Sequence, residues 1–241
     1  MTEKTVPYAR AARRHLSKND PVLAQVIESV GPVKIIPRPE RFPALCRAII
    51  FQQLAGAAAT AIYNRFTGLY PDTEFPTPEQ VIATPIEKLR SVGLSEKKAL
   101  YIRDLAGHLR DGTLNFHRFP TMTDDEIIAD LTRVKGIGRW TAEMFLMFNL
   151  GRPDVMPADD LGVQNGIKRL FRMRQRPKRK QVMKVAERWR PYRTAAAWYL
   201  WRSIDVILPD GGASAAKPKK IAVAKPLTRK PVKSSRPRRK T

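Results

Sequence analysis

The chain has 241 residues, 43% hydrophobic and 8% aromatic, enough for one compact domain or two closely packed lobes, which excludes a wholly disordered protein. Its formal net charge is +23 and its pI is near 10.7, so a polyanion is the natural partner. The single cysteine, Cys46, excludes internal disulfides and a cysteine-held iron–sulfur cluster, and with only three dispersed histidines (His15, His108, His117) no zinc site is legible.

No apolar run approaches the length that spans a membrane, and no secretory h-region opens the chain. A reducing compartment is expected: cytoplasmic and nucleoid-associated in a bacterium, nuclear in a eukaryote. Residues 1–17 are polar and basic and are expected to be ordered only in part. Asp20-Pro21 reads as the N-cap and first residue of a helix reaching about Val30. Arg41 to about Tyr70 is mostly apolar and helical, with Cys46 buried, and it is interrupted around Gln52-Gln53-Leu54-Ala55-Gly56. Leu54 is equally readable as core or as an exposed side chain. Thr77-Pro78 and Pro85 open two short helices, and Ser95 caps a longer one from Glu96 to about Leu109 whose Lys97, Lys98 and Arg103 suit a solvated face.

Thr123-Asp-Asp-Glu126 is a capping box, so a helix begins there and runs to about Val134. Gly136 and Gly138 bracket Ile137 in a tight turn, and the next helix opens near Arg139. Its first N–H groups carry the positive end of the helix dipole, so Lys135 to Arg139 can serve as an anion site. A plain turn between helices has the same signature. The helix after it, Trp140 to about Asn149, is apolar on nearly every face and is expected to pack inside, with Trp140 at a wall between core and cleft.

After Gly151-Arg-Pro-Asp-Val-Met-Pro157 the acidic pair Asp159-Asp160 opens a helical pattern through Leu161, Val163, Ile167 and Leu170. One aspartate caps the helix. A second carboxylate beside a phosphate-binding turn weakens the binding of a polyanion, and its presence suggests chemistry. Residues 172–180, with six Lys/Arg in nine positions, form a solvated linker or a phosphate contact. Helices follow at about Gln181–Trp189 and Thr194–Ile207, and Trp198 and Trp201, three apart, suit core or a stacking wall. Residues 211–241 hold eleven Lys/Arg and no acid, which leaves +12 of the +23 for residues 1–210. The tail from 209 to 241 is expected to be disordered and to add salt-sensitive affinity for nucleic acid. No strand-like alternation persists, so the fold is expected to be all-α.

The run Val134 to Asp160 resembles the helix-hairpin-helix, Gly-Pro-Asp (HhH-GPD) superfamily of DNA base-excision glycosylases, in detail its DNA-3-methyladenine glycosylase II (alkylbase glycosylase) branch. Further matches, in the same order, are Arg47 to Gly56, Gly93 to Ala106, Met156 to Gly162, and Trp189 to Arg202, so the resemblance covers roughly residues 18–207. It implies a two-lobed fold with a cleft between lobes and a core over 18–208, containing the hairpin (123–150) and a catalytic loop (151–162). The expected substrate is double-stranded DNA carrying damaged bases, bound by a monomer.

By the same resemblance Leu54 wedges into the space left by an extruded nucleotide, Gln53 touches the base left behind, and Lys135, Gly136, Ile137, Gly138 and Arg139 grip the backbone. Trp140, Trp201 and Met144 form the base pocket. The family spacing puts catalysis on Asp160, with Val163 three residues on, and makes Asp159 the helix cap. Lyase-competent members hold a lysine where Trp140 stands, so a monofunctional glycosylase for alkylated purines of the 3-methyladenine and 7-methylguanine type is expected. No cofactor is required, although family members bind a monovalent or divalent cation through hairpin carbonyls, here those of Thr132, Val134 and Gly136. Two positions depart from the pattern: Lys135 replaces a frequent proline, and Met144 a residue that is aromatic in some alkylbase enzymes. The rival expectations are a bifunctional glycosylase/lyase for oxidised bases and a non-catalytic hairpin protein that only binds DNA.

Overall fold

Several helix starts carry a side chain able to bond the free N–H groups of the first turn, and the computed structural model, which describes residues 5–204, starts those helices at their caps. In chain order the α-helices are α1 (Ala9–Asn19), α2 (Pro21–Val30), α3 (Arg41–Phe51), α4 (Gly56–Gly68), α5 (Pro78–Ala83), α6 (Ile86–Ser91) and α7 (Glu96–Arg110). Then come α8 (Asp124–Thr132), α9 (Arg139–Phe148), α10 (Leu161–Leu170), α11 (Arg179–Ala186) and α12 (Arg193–Ser203). The described residues contain no strand. Asp20 caps α2 by accepting from the N–H groups of Val22 and Leu23, Ser95 caps α7, and Thr77 and Thr123 form complete capping boxes with Gln80 and Glu126.

Of residues 1–17, positions 1–4 lie outside the described residues and the rest includes most of α1. Residues 9–19 form a regular helix, because Ala9, Ala12 and Leu16 recur at helical spacing and are buried. The basic composition of the segment belongs to the opposite face, where Arg10, Arg13 and Arg14 are exposed. The expected end of the last helix at Ile207, the boundary at 208 and the tail lie outside the described residues.

The closest packing divides the helices into two sets. One pairs α1 with α2, α2 with α12 and α10 with α12; the other joins α3 to α4, α7 and α9, α5 and α6 to α7, and α8 to α9. The chain therefore leaves the first set after α2 and returns to it after α9. The two crossings run beside each other, with Arg38 N–H donating to Phe148 O at 3.1 Å and Asn149 Nδ2 to Arg38 O at 3.2 Å. The return crossing is the Asp159-Asp160 loop, and it is pinned at its middle. Arg193, buried at the start of α12, makes a bidentate pair with Asp154 (Nε to Oδ1 2.8 Å, Nη2 to Oδ2 2.9 Å). Thr194, fully buried, accepts from Val155 N–H and donates to Arg152 O. Both sets share one apolar core, which includes Leu45, Ile49, Phe66, Ile102, Leu146, Trp189 and Tyr199.

Candidate active site

Asp160 is itself the N-cap of α10. Its Oδ1 accepts from Val163 N–H at 2.8 Å, three residues on, which is the geometry expected of a cap aspartate. The expectation that Asp159 would cap is thereby corrected: Asp159 points away and pairs with Arg179. The reason is geometric, since a cap must reach N3 of the helix and only Asp160 stands three residues before Val163.

The same carboxylate is held from two further sides. Trp201 Nε1, on α12, donates to Oδ1 at 2.7 Å, and Trp140 Nε1, in the first turn of α9, donates to Oδ2 at 2.9 Å. One ionisable group thus joins α9, α10 and α12, and both of its oxygens carry indole donors. Trp140 is 50% exposed, and Asp160 and Trp201 are half-buried, so the group reaches solvent. Gly162 makes the contact possible: a Cβ there would lie 2.5 Å from Trp201 Cδ1 and 3.1 Å from Asp160 Oδ1.

Trp140, Met144 and Phe148 stand at intervals of four on α9 and share one face. Phe148 stacks on Trp201 at 5.9 Å, while Trp198 turns into the core. Trp198 thus takes the core role, and Trp201 stays half-buried beside Asp160. The motifs alone do not single out Phe148, although its spacing from Trp140 and Met144 carries the signal.

The hairpin between α8 and α9 has Gly136 at φ +84, and a Cβ there would lie 2.1 Å from Cδ2 of Tyr101 on α7. No side chain caps α9, so the N–H groups of its first turn are not taken by a cap. The hairpin's own side chains divide between the core and surface ion pairs. Ile137 is 3% exposed and plugs the core, and its N–H bonds to Val134 O. Lys135 Nζ lies 3.5 Å from Asp104, and Arg139 pairs with Glu143 at 3.0 Å and Asp125 at 3.5 Å. The backbone at Gly138 is exposed in open space, and Lys135 and Arg139 stay exposed beside it.

Glu143 is a neighbour of the site that no motif in the sequence marks. It lies buried beneath Arg139 and Arg179, and Arg179 bridges it to Asp159, which ties the return loop to α9. Burial pushes its carboxyl above the usual range, while Arg139 and Arg179 pull the other way. Gln53 and Leu54 follow α3 in an exposed turn, with Gln53 in the left-handed region at φ +57 and Leu54 40% exposed. That removes the core reading of Leu54. The charged segment 172–180 runs through the α10–α11 connection with Arg174, Gln175 and Arg176 exposed.

Of the three carbonyls expected to hold a cation, Gly136 O accepts from Gln52 Nε2 at 2.7 Å and Val134 O from Ile137 N–H at 3.1 Å. A cation there would compete with Gln52. Among the described residues no cluster of three His, Cys, Asp or Glu could hold a metal, and no helix is long and apolar enough to cross a membrane.

An all-α frame with a glycine hairpin, and an aspartate on the loop that follows it, is the arrangement of a helix-hairpin-helix protein. The model of the HhH-GPD superfamily of base excision DNA repair proteins matches residues 46–191, and the chain belongs to that superfamily. Over 205 residues it is 38% identical to DNA-3-methyladenine glycosylase 1 of Schizosaccharomyces pombe, covering 83% of this chain and 90% of the relative. The solved structure of the 3-methyladenine DNA glycosylase Mag1 from that yeast, in complex with abasic DNA, superposes with a TM-score of 0.71 and 38% identity, over 81% of this chain and 97% of that one. A Bacillus halodurans DNA-3-methyladenine glycosidase gives a TM-score of 0.72 and 38% identity, over 78% and 86% of the two chains.

Proposed function

We propose that this protein is a monofunctional DNA glycosylase that hydrolyses the N-glycosidic bond of alkylated purines extruded from duplex DNA. The observation that carries the reading is the Asp160 carboxylate, held between the indole N–H groups of Trp140 and Trp201 at the solvent-reaching end of α9. Stacking inside a duplex hides the glycosidic bond, so the nucleotide must leave the helix. The N-terminal turn of α9 takes a backbone phosphate, Leu54 fills the vacated space and Gln53 meets the base left behind. An alkylated purine carries positive charge, which suits an electron-rich indole face and makes the base a good leaving group.

As the bond from C1′ to the base nitrogen breaks, its electron pair departs with the base and the sugar acquires oxocarbenium character. Asp160 stabilises that cation, and a water adding to C1′ gives up one proton to the Asp160 carboxylate, leaving free base and an abasic site. An aspartate bonded by three donors is fixed in place, so the field acting on the sugar is preorganised. Trp140 offers no amine for a Schiff base, which favours hydrolysis over strand cleavage. The similarity to 3-methyladenine glycosylases supports the substrate class, and the relative solved on abasic DNA supports DNA as the partner.

The test is base release from duplexes carrying 3-methyladenine, 7-methylguanine, hypoxanthine, ethenoadenine or uracil, read by alkaline cleavage at abasic sites. Asp160→Asn is expected to lower excision by about a hundredfold or more while abasic-DNA binding persists. Full activity in that variant overturns the assignment. A covalent complex trapped by borohydride would establish the lyase instead, and binding with no base release from any duplex would leave a DNA-binding protein.

A further inference from the structure

We propose that one face of α7 sets the register between the Leu54 turn and the hairpin, and that Lys98 and Gln52 are positioning residues for nucleotide extrusion. The inference rests on the glycosylase reading for its substrate.

Lys98, Tyr101 and Asp104 are three apart on α7 and so lie on one side of that helix, spanning about 9 Å along its axis. Each holds part of the DNA-probing apparatus. Lys98 Nζ donates to Ile50 O at 2.8 Å and to Gln52 O at 2.7 Å, two carbonyls at the end of α3 immediately before Leu54. The Tyr101 ring lies against Gly136, which only a residue without a Cβ permits. Asp104 Oδ2 accepts from Lys135 N–H at 2.8 Å, in the same turn. Gln52 Nε2 closes the circuit by donating to Gly136 O at 2.7 Å.

The turn that presents Leu54 and the turn that opens α9 are thus mounted on a common strut and tied to each other directly. Lys98 is half-buried with its ammonium turned onto main-chain carbonyls, where it is engaged in holding the loop and is not presented to a phosphate. Burial lowers its pKa from the ordinary lysine value, which agrees with that placement. Fixing the distance between grip and wedge decides which base step Leu54 enters once a phosphate sits on the hairpin. A loosened strut would leave grip and wedge each available and spoil their coincidence, so extrusion would fail before chemistry does.

The experiment compares single-turnover release of 7-methylguanine paired with cytosine against release of the same base from an unpaired bulge, where extrusion is already largely accomplished. Lys98→Met and, independently, Gln52→Leu are expected to slow the paired reaction tenfold or more and the bulged reaction less than threefold, with Lys98→Arg close to wild type. Lys98→Met added to Leu54→Ala should cost little beyond Leu54→Ala alone, since the strut acts through the wedge. Equal slowing on both duplexes, no slowing on either, or Lys98→Arg as poor as Lys98→Met would overturn the proposal.

A second readout needs no chemistry: 2-aminopurine beside an abasic nucleotide should brighten when wild-type protein binds, and Lys98→Met should lose most of that gain at saturating protein. An unchanged gain refutes the strut. Wild-type protein that brightens 2-aminopurine yet releases no base would refute the glycosylase reading alone.

Discussion

Gly162 shows how much one missing methyl group decides. An alanine there would meet the Trp201 ring at 2.5 Å, and the indole would have to leave Asp160 Oδ1 or α10 would have to move. Gly162→Ala is expected to destabilise the protein by about 1–3 kcal/mol, the cost of overpacking, and to lower excision by as much as roughly a hundredfold through misplaced groups. Calorimetry and single-turnover kinetics on the same preparation separate the two effects; wild-type kinetics in that variant would show the Trp201 interaction to be dispensable. Glu143 makes a different prediction, on pH. Its carboxyl is raised by burial, so the stability tied to its protonated form is complete below the unfolded-state pKa and is lost as pH rises through the folded-state value. Wild type should therefore lose stability relative to Glu143→Gln as pH rises from the ordinary glutamate range. Urea melts of both proteins across that interval check it, and a constant difference would rule it out.

At the scale of single elements, caps are the most legible feature. Asp20, Thr77, Ser95 and Thr123 stand where the residue types demand, because a cap depends on three or four consecutive residues and little else. Asp20 does more than cap: it is 1% exposed and its Oδ2 accepts from Trp189 Nε1 at 2.9 Å, 169 residues away. Asp20→Ala strands three donors and should cost about 2 kcal/mol, or roughly 4–8 °C in Tm, with excision at low temperature retained. A loss below about half a kcal/mol in a denaturant melt would mean those donors find other partners. The departures from expectation at this scale have a common origin. In residues 9–19 a basic composition hides a three-residue apolar stripe, and the adjacent acids Asp159 and Asp160 compete for one cap that the i, i+3 rule gives to Asp160. Ile137 sits among hairpin neighbours that face solvent, but a buried side chain between two glycines serves the core.

For the molecule as a whole, the charge is unevenly spread: residues 211–241 carry eleven of the net +23 and leave +12 for residues 1–210. A chain shortened to residues 1–208 should bind undamaged duplex less tightly. Its plot of log affinity against log salt should flatten by roughly 0.9 for each phosphate that the tail no longer neutralises, while excision at saturating enzyme is unchanged. An identical salt slope would show that the tail does not engage the DNA backbone. What the sequence by itself determined is the local material: the caps, the glycine turn, the all-helical class and a motif order specific enough to place the family. Those depend on short-range backbone chemistry and hydrophobic period. Only the tertiary structure decided which side chains meet, because periodicity names a buried face without naming what covers it. Trp140 and Trp201 reach Asp160 from 20 and 41 residues away, and Lys98 reaches the carbonyls of Ile50 and Gln52 across 48 and 46. The Asp160 encounters exist because the chain crosses between its two helix sets twice, whereas Lys98 meets its carbonyls within one set, through the packing of α7 on α3.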